Sequence, residues 1–204
     1  MDDLDALAEA LGRFDRVAVP LDGRRAAAVA IAISDGADSP DGAGGPAILL
    51  TRRAPRMRAH ASQFALPGGR LDAGEDAVDA ALRELSEEVG AMADRSGVLG
   101  LLDDYPTRSG YVITPVVVRL GAGQRLTPNP SEVAELFRIP LPDLDVTPRF
   151  ITIPESDRPV IQLPLVGHFV HAPTAAVLYQ FSELAVHGRV TRVDHLEQPV
   201  FAWR

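Results

Sequence analysis

The stretch Gly69 to Ala91, GRLDAGEDAVDAALRELSEEVGA, constrains this chain more than any other, because it reads as one helix with two faces of opposite chemistry. Each helical residue advances by about 100 degrees, so Val78, Ala81, Leu82, Leu85 and Val89 share an apolar arc on a helix expected from Glu75 to Val89. That arc must pack against a sheet. Glu84, Glu87 and Glu88 fall on another arc, with Glu84 and Glu88 one turn apart and Glu87 between them in angle. Gly90 suits the end of this helix, since glycine accepts the left-handed backbone found beyond a helix terminus.

Carboxylates held this close repel one another, and a hard divalent cation compensates by accepting their oxygens. Mg²⁺ or Mn²⁺ fits, because such ions bridge carboxylates to phosphate oxygens and lower the pKa of bound water. Glutamates on a solvated helical face are common, so the neighbouring residues matter. Pro67, Gly68, Gly69 and Gly74 are expected to turn tightly and bring the backbone close to a phosphate, and a Glu75–Arg83 salt bridge would hold the loop-to-helix junction.

Strands are expected at Ala26–Ile33, Ala47–Thr51, Val98–Leu102, Tyr111–Leu120, Val133–Ile139, Phe150–Ile153 and Val160–Leu163. Pro115 points to an edge, a bulge or a break in its strand. Helices are expected at Asp3–Leu11, as a cap on the domain, and at Pro173–Val186. Ser34 to Pro46 reads as a long loop, His168 and His171 as part of a turn, and Arg189 to Arg204 as a last strand or a loosely packed tail. Strands bracketing a central helix imply an α/β (α+β) fold in which a mixed sheet is covered on both faces. The 204 residues show no repeat and no domain-sized linker, so 1–204 is expected to be one domain with a short N-terminal helical extension and a C-terminal tail.

The formal charge of −8 argues against broad attraction to nucleic acid or an anionic membrane. Arg52, Arg53, Arg56 and Arg58, followed by His60, nevertheless form a basic patch that could clamp phosphates or simply be a solvated loop. The chain has no cysteine, which removes disulfides and thiolate metal sites. With an acidic N-terminus and no run long enough to span a bilayer, a cytoplasmic location is expected. A homodimer through the Leu4 helix or the C-terminal tail stays open.

At Gly69, Glu75, Arg83-Glu84, Leu85, Glu87-Glu88 and Gly90 the chain resembles the Nudix hydrolase family, whose signature spaces these residue types in this register. Ala91 stands where the family prefers Val, Ile or Leu. The resemblance implies an α/β/α sandwich, with Glu84, Glu87 and Glu88 as metal ligands, Glu75 as partner of Arg83, and Gly69 and Gly90 as shaping residues. Glu132 is a candidate further acidic residue, because Nudix enzymes often draw one from a later loop.

Upstream, Leu49-Leu50-Thr51, Arg53, Ala54, Arg58 and Pro67-Gly68-Gly69 resemble the added motif of the coenzyme A diphosphatase branch. The chain departs from it at Ser62, where the motif has glycine, and at Leu66, where it has phenylalanine. This similarity implies hydrolysis of coenzyme A or a derivative to phosphopantetheine and adenosine 3',5'-bisphosphate. The expected substrate-binding residues are Arg53, Arg58, Gly68, Gly69, Thr107, Ser109, Gly110 and Tyr111. Two other readings compete: a Nudix pyrophosphatase for ADP-ribose, NADH or dinucleotide polyphosphates, and a non-catalytic nucleotide-binding protein.

Overall fold

The computed structural model describes residues 3–34, 45–55 and 62–203. Arg56, Arg58, His60 and most of the expected loop between Ser34 and Pro46 lie outside the described residues. In chain order the elements are α1 (Asp3–Arg13), β1 (Arg25–Ser34), β2 (Ala47–Arg53), β3 (Phe64–Ala65), β4 (Gly68–Arg70), α2 (Ala77–Val89), β5 (Val98–Leu101), β6 (Tyr105–Pro106), β7 (Tyr111–Arg119), β8 (Val133–Pro140), β9 (Arg149–Ile153), β10 (Ser156–Leu165), β11 (His168–His171) and α3 (Thr174–Ala185).

The alanine-rich β1 is a strand because both of its faces are covered. Ala28, Ala30 and Ala32 are fully buried in the core under α2, where small side chains let the helix lie close. Ile31 and Ile33 point the other way, into a second core shared with α1, α3 and β10. The main sheet runs β3-β2-β1-β7-β5, with β4 also on β1, β6 on β7 and β8 on β2. It is mixed: β1 and β7 are parallel, and the other pairs are antiparallel. With α2 on one face and α1, α3 and the small antiparallel sheet β9–β11 toward the other, the layers form an α+β sandwich.

β1 changes partner along its length. Ala27 to Val29 pair with β4, whereas Ile33 and Ser34 pair with β2. Between them Ala30 donates its N–H to Pro67 O at 2.8 Å. The strands β2 and β4 therefore leave β1 at different points, and the sheet opens there.

Two expectations change, and for Pro115 the alternatives narrow: it lies not at an edge but in a central strand, at the point where the pairing on one side of the strand breaks. On one side β7 pairs with β1 throughout; on the other, β6 meets Val112 and Ile113 while β5 meets Val116 to Val118. The Pro115 carbonyl accepts from Leu102 on that second side, so its missing N–H faces the gap where the two partners hand over. His168 to His171 form strand β11 on β10, not a turn; the turn is Val166-Gly167, both at positive φ. The C-terminal segment neither adds a strand nor packs loosely. Val193, Leu196 and Ala202 are buried, Arg192 Nη1 donates to both Asp103 oxygens at 2.7 and 2.9 Å, and a short 3-10 turn spans Val200–Trp203. Among the described residues, no helix is long and apolar enough to cross a membrane.

Candidate active site

Asp76 starts α2, so the helix begins after Glu75 and not at it: the Asp76 carboxylate accepts the N–H groups of Val78 and Asp79, both at 2.9 Å. Glu75 is left in the preceding loop. Its two oxygens accept Arg83 Nε and Nη2 at 2.8 and 3.0 Å, and Oε2 also accepts the Asp72 N–H at 2.9 Å. Arg83 Nη2 further donates to Arg70 O at 3.0 Å. These bonds hold the Glu75 carboxyl below the usual carboxylate range and tie the 70–75 loop to the helix. The third guanidinium nitrogen, Nη1, donates to Glu84 Oε1 at 2.8 Å and Glu87 Oε2 at 3.2 Å.

Glu88 is different in kind. It is buried on α2, and burial lifts its carboxyl to about 7; Arg53 opposes the rise, and the Glu84 and Glu132 charges add to it. Arg53 Nη1 stands 3.8 Å from Glu88 Oε1. Glu132 is anchored through its backbone, whose carbonyl accepts the Ala54 N–H at 2.7 Å beyond the end of β2.

The donor set suits a hard divalent cation, since a buried carboxylate facing two others is relieved by positive charge. Among the described residues, however, no three such side chains converge on one point. Glu84 and Glu87 are turned onto Arg83 instead.

Pro67-Gly68-Gly69 is not the expected tight turn. Gly68 to Arg70 form β4, and the glycines are required by close approach. A Cβ on Gly68 would meet Ala28 O at 2.4 Å, and one on Gly69 would meet Glu84 Oε1 at 2.1 Å. Gly90, at φ 70, would bring a Cβ within 3.1 Å of the Thr127 backbone.

A cleft of about 750 Å³ lies where the sheet opens. Arg53, Gly68, Gly69, Thr107, Ser109 and Tyr111 line it, so the cleft and the carboxylate helix share Gly68, Gly69 and Arg53. Gly110 shapes a turn beside it: its φ is 86, and its carbonyl accepts the Arg25 N–H at 2.9 Å. Arg58 lies outside the described residues. Ser62 lines the cleft at φ 60, a left-handed backbone that explains why glycine suits this position.

Sequence reasoning missed Arg25, Arg70, Phe64, Phe169 and Phe201, which also line the cleft. They come from separate strands and the C-terminal turn, and no local periodicity marks them. His171 lies 2.8 Å from Gln162 across the β10–β11 ladder, and burial lowers its pKa.

The NUDIX domain family matches residues 23–163. The chain belongs to the Nudix family. It is 37% identical over 142 residues to the Nudix hydrolase NudL of Pectobacterium atrosepticum, covering 67% of this chain and 74% of that relative. To the protein of the same name from Photorhabdus laumondii it is 44% identical over 97 residues, or 47% of this chain, and it spans about half of that relative's length, 52%. A crystal structure of the Nudix hydrolase RenU from M. smegmatis superposes with a TM-score of 0.53 at 20% identity, covering 83% of this chain and 91% of that one. A MutT/nudix family protein from Enterococcus faecalis gives 0.55 at 12% identity, over 85% and 66%. Both share the fold. Within the segment Gly69 to Ala91, Arg83 is the hub that holds Glu75, Glu84 and Glu87, while Gly69 and Arg70 at its start line the cleft.

Proposed function

We propose that this Nudix protein hydrolyses the diphosphate linkage of coenzyme A or a derivative, releasing phosphopantetheine and adenosine 3',5'-bisphosphate. One observation carries the reading: the cleft meets the carboxylate helix at Gly68, Gly69 and Arg53, so a diphosphate seated there lies between basic donors and acidic ligands. Glu84, Glu87 and Glu88 would hold Mg²⁺ or Mn²⁺. When bound, the ion neutralises charge developing on the phosphates and makes water a better nucleophile.

The remaining work falls to the chain. The Nε of Arg53 is buried with no hydrogen-bond partner among the described residues, a donor that a phosphate oxygen would satisfy. Gly68 lets β4 pack on Ala28 and Gly69 leaves room for the Glu84 carboxylate, so the carboxylate helix lies directly behind this wall of the cleft. Arg83 holds Glu84 and Glu87 by hydrogen bonds and anchors the end of β4, the strand that carries the glycines. Coenzyme A is favoured over other diphosphates because Ser62 holds a backbone angle that suits the glycine of the coenzyme A diphosphatase motif. Leu66, the other departure, is buried in the core, where bulk matters more than aromaticity.

Product analysis by liquid chromatography and mass spectrometry tests this. The pure protein with Mg²⁺ or Mn²⁺ is incubated separately with coenzyme A, ADP-ribose, NADH and diadenosine polyphosphates. Preferential formation of phosphopantetheine and adenosine 3',5'-bisphosphate is expected. Faster cleavage of another compound would keep the carboxylate chemistry and overturn the substrate.

A further inference from the structure

The cleft is basic in an acidic protein. Its described lining includes Arg25, Arg53 and Arg70 and no aspartate or glutamate. Arg53 faces Glu88, but Arg25 and Arg70 have no ion-pair partner among the described residues. They meet instead on one ring. Arg25 lies directly across the parallel ladder from Tyr111, and its guanidinium sits 4.4 Å from the ring centroid. Arg70, brought alongside by the Ala27–Arg70 pair of the β1–β4 ladder, sits 5.6 Å from the same centroid.

A tyrosine face steadies a guanidinium while leaving its N–H groups free, because the ring's attraction acts on the charge and not on the donors. Two guanidiniums gathered on one ring repel each other, and neither has a carboxylate to quench it. An anion accepting from both would relieve that repulsion. Both side chains are exposed at the cleft, so such an anion can enter from solvent. Thr107 and Ser109 line the same cleft, their hydroxyls 3.1 Å apart, and the Thr107 hydroxyl accepts the Tyr111 N–H at 2.9 Å, which fixes the start of the strand that carries the ring.

We propose that Arg25, Arg70 and Tyr111 form a second anion site, which takes a phosphate monoester carried by the substrate away from its scissile diphosphate. The site is distinct from the Arg53 and Glu88 region, and its assignment to a substrate group rests on the diphosphate reading above. A monoester suits it better than a diester. With a second pKa near 6, a monoester carries about −1.5 to −2 charge at pH 7 and three acceptor oxygens, enough for two forked donors. The backbone carbonyl of Arg70 accepts from Arg83, so this site and the Glu75–Arg83–Glu84 network share one strand.

The test separates this site from the hydrolytic reading. Calorimetry without metal measures the binding of adenosine 3',5'-bisphosphate and of adenosine 5'-monophosphate, which differ by one monoester. The wild-type protein should prefer the bisphosphate by at least about tenfold, and the Arg25→Gln/Arg70→Gln double variant should lose that preference. Tyr111→Phe, which keeps the ring, should retain it, and Tyr111→Leu should not. Equal or undetectable affinities in the wild type, or a preference that survives the double variant, would overturn the proposal. Hydrolysis is read separately as the ratio of kcat/KM for coenzyme A to that for its 3'-dephospho form. A binding preference without hydrolysis of any diphosphate would sink the proposed activity and support the anion site.

Discussion

Gly69 and Glu84 compete for one small volume: a Cβ on Gly69 would stand 2.1 Å from Glu84 Oε1 and 2.5 Å from its carboxyl carbon. The obstacle is the end of a flexible side chain and not backbone, so Gly69→Ala can fold by pushing Glu84 aside. Turnover should fall by about 100-fold, the scale on which a displaced functional group loses its geometry. Circular dichroism and the Tm should change little. Near-normal kcat in a folded variant would show that the position of Glu84 does not matter to the reaction.

Arg83 makes paired bonds to Glu75 and reaches Glu84 and Glu87 with its remaining nitrogen. Lysine keeps the charge but cannot form this fork. Arg83→Lys should therefore lower kcat by roughly tenfold or more. Amide exchange should also quicken at Asp72, whose N–H is held by Glu75. Unchanged protection there would contradict the bracing role.

Glu88 offers a pH test in the metal-free protein. Burial raises its carboxyl from 4.5 to about 7, so folding penalises the charged form. With the folded value above the unfolded one, stability from this group is full below about 4.5, declines as pH rises, and is gone above about 7. With chelator present at pH 8, Glu88→Gln should accordingly have a higher Tm than the wild type, while being nearly inactive at saturating Mg²⁺. A lower Tm at pH 8 would show that the ionised carboxylate is already well compensated by Arg53.

Ser62 holds φ 60, where an L-residue is strained and glycine is not. Ser62→Gly should raise unfolding stability by about 1 kcal/mol in denaturant melts, less whatever chain entropy the glycine adds. Destabilisation would mean that the serine hydroxyl holds the loop more strongly than its backbone angle strains it.

The acidic helix was legible because its information is local. Val89, Leu85 and Ala81 repeat at helical spacing and are fully buried, and Asp76 and Gly90 cap the two ends within the same short segment. The Glu75–Arg83 contact could be read for the same reason: it spans the junction of one loop and one helix. Where side chains from distant segments meet, the signal vanished. Gly68-Gly69 looked like a turn because glycine signals both turns and close approach, and only the packing of β4 between β1 and Glu84 shows which applies.

The sequence by itself determined the periodicities and the spacing of Gly69, Glu75, Arg83, Glu84, Glu87, Glu88 and Gly90, since these are properties of contiguous residues. Only the tertiary structure decided that Arg25 and Arg70 meet at the Tyr111 ring, that Glu88 is buried opposite Arg53, and that the C-terminal turn lines one wall of the cleft. Each of those facts depends on strand register, partner exchange along β1 and removal of a charge from water. These are set by the energy of packing the whole sheet between its two cores, and no window of neighbouring residues contains them.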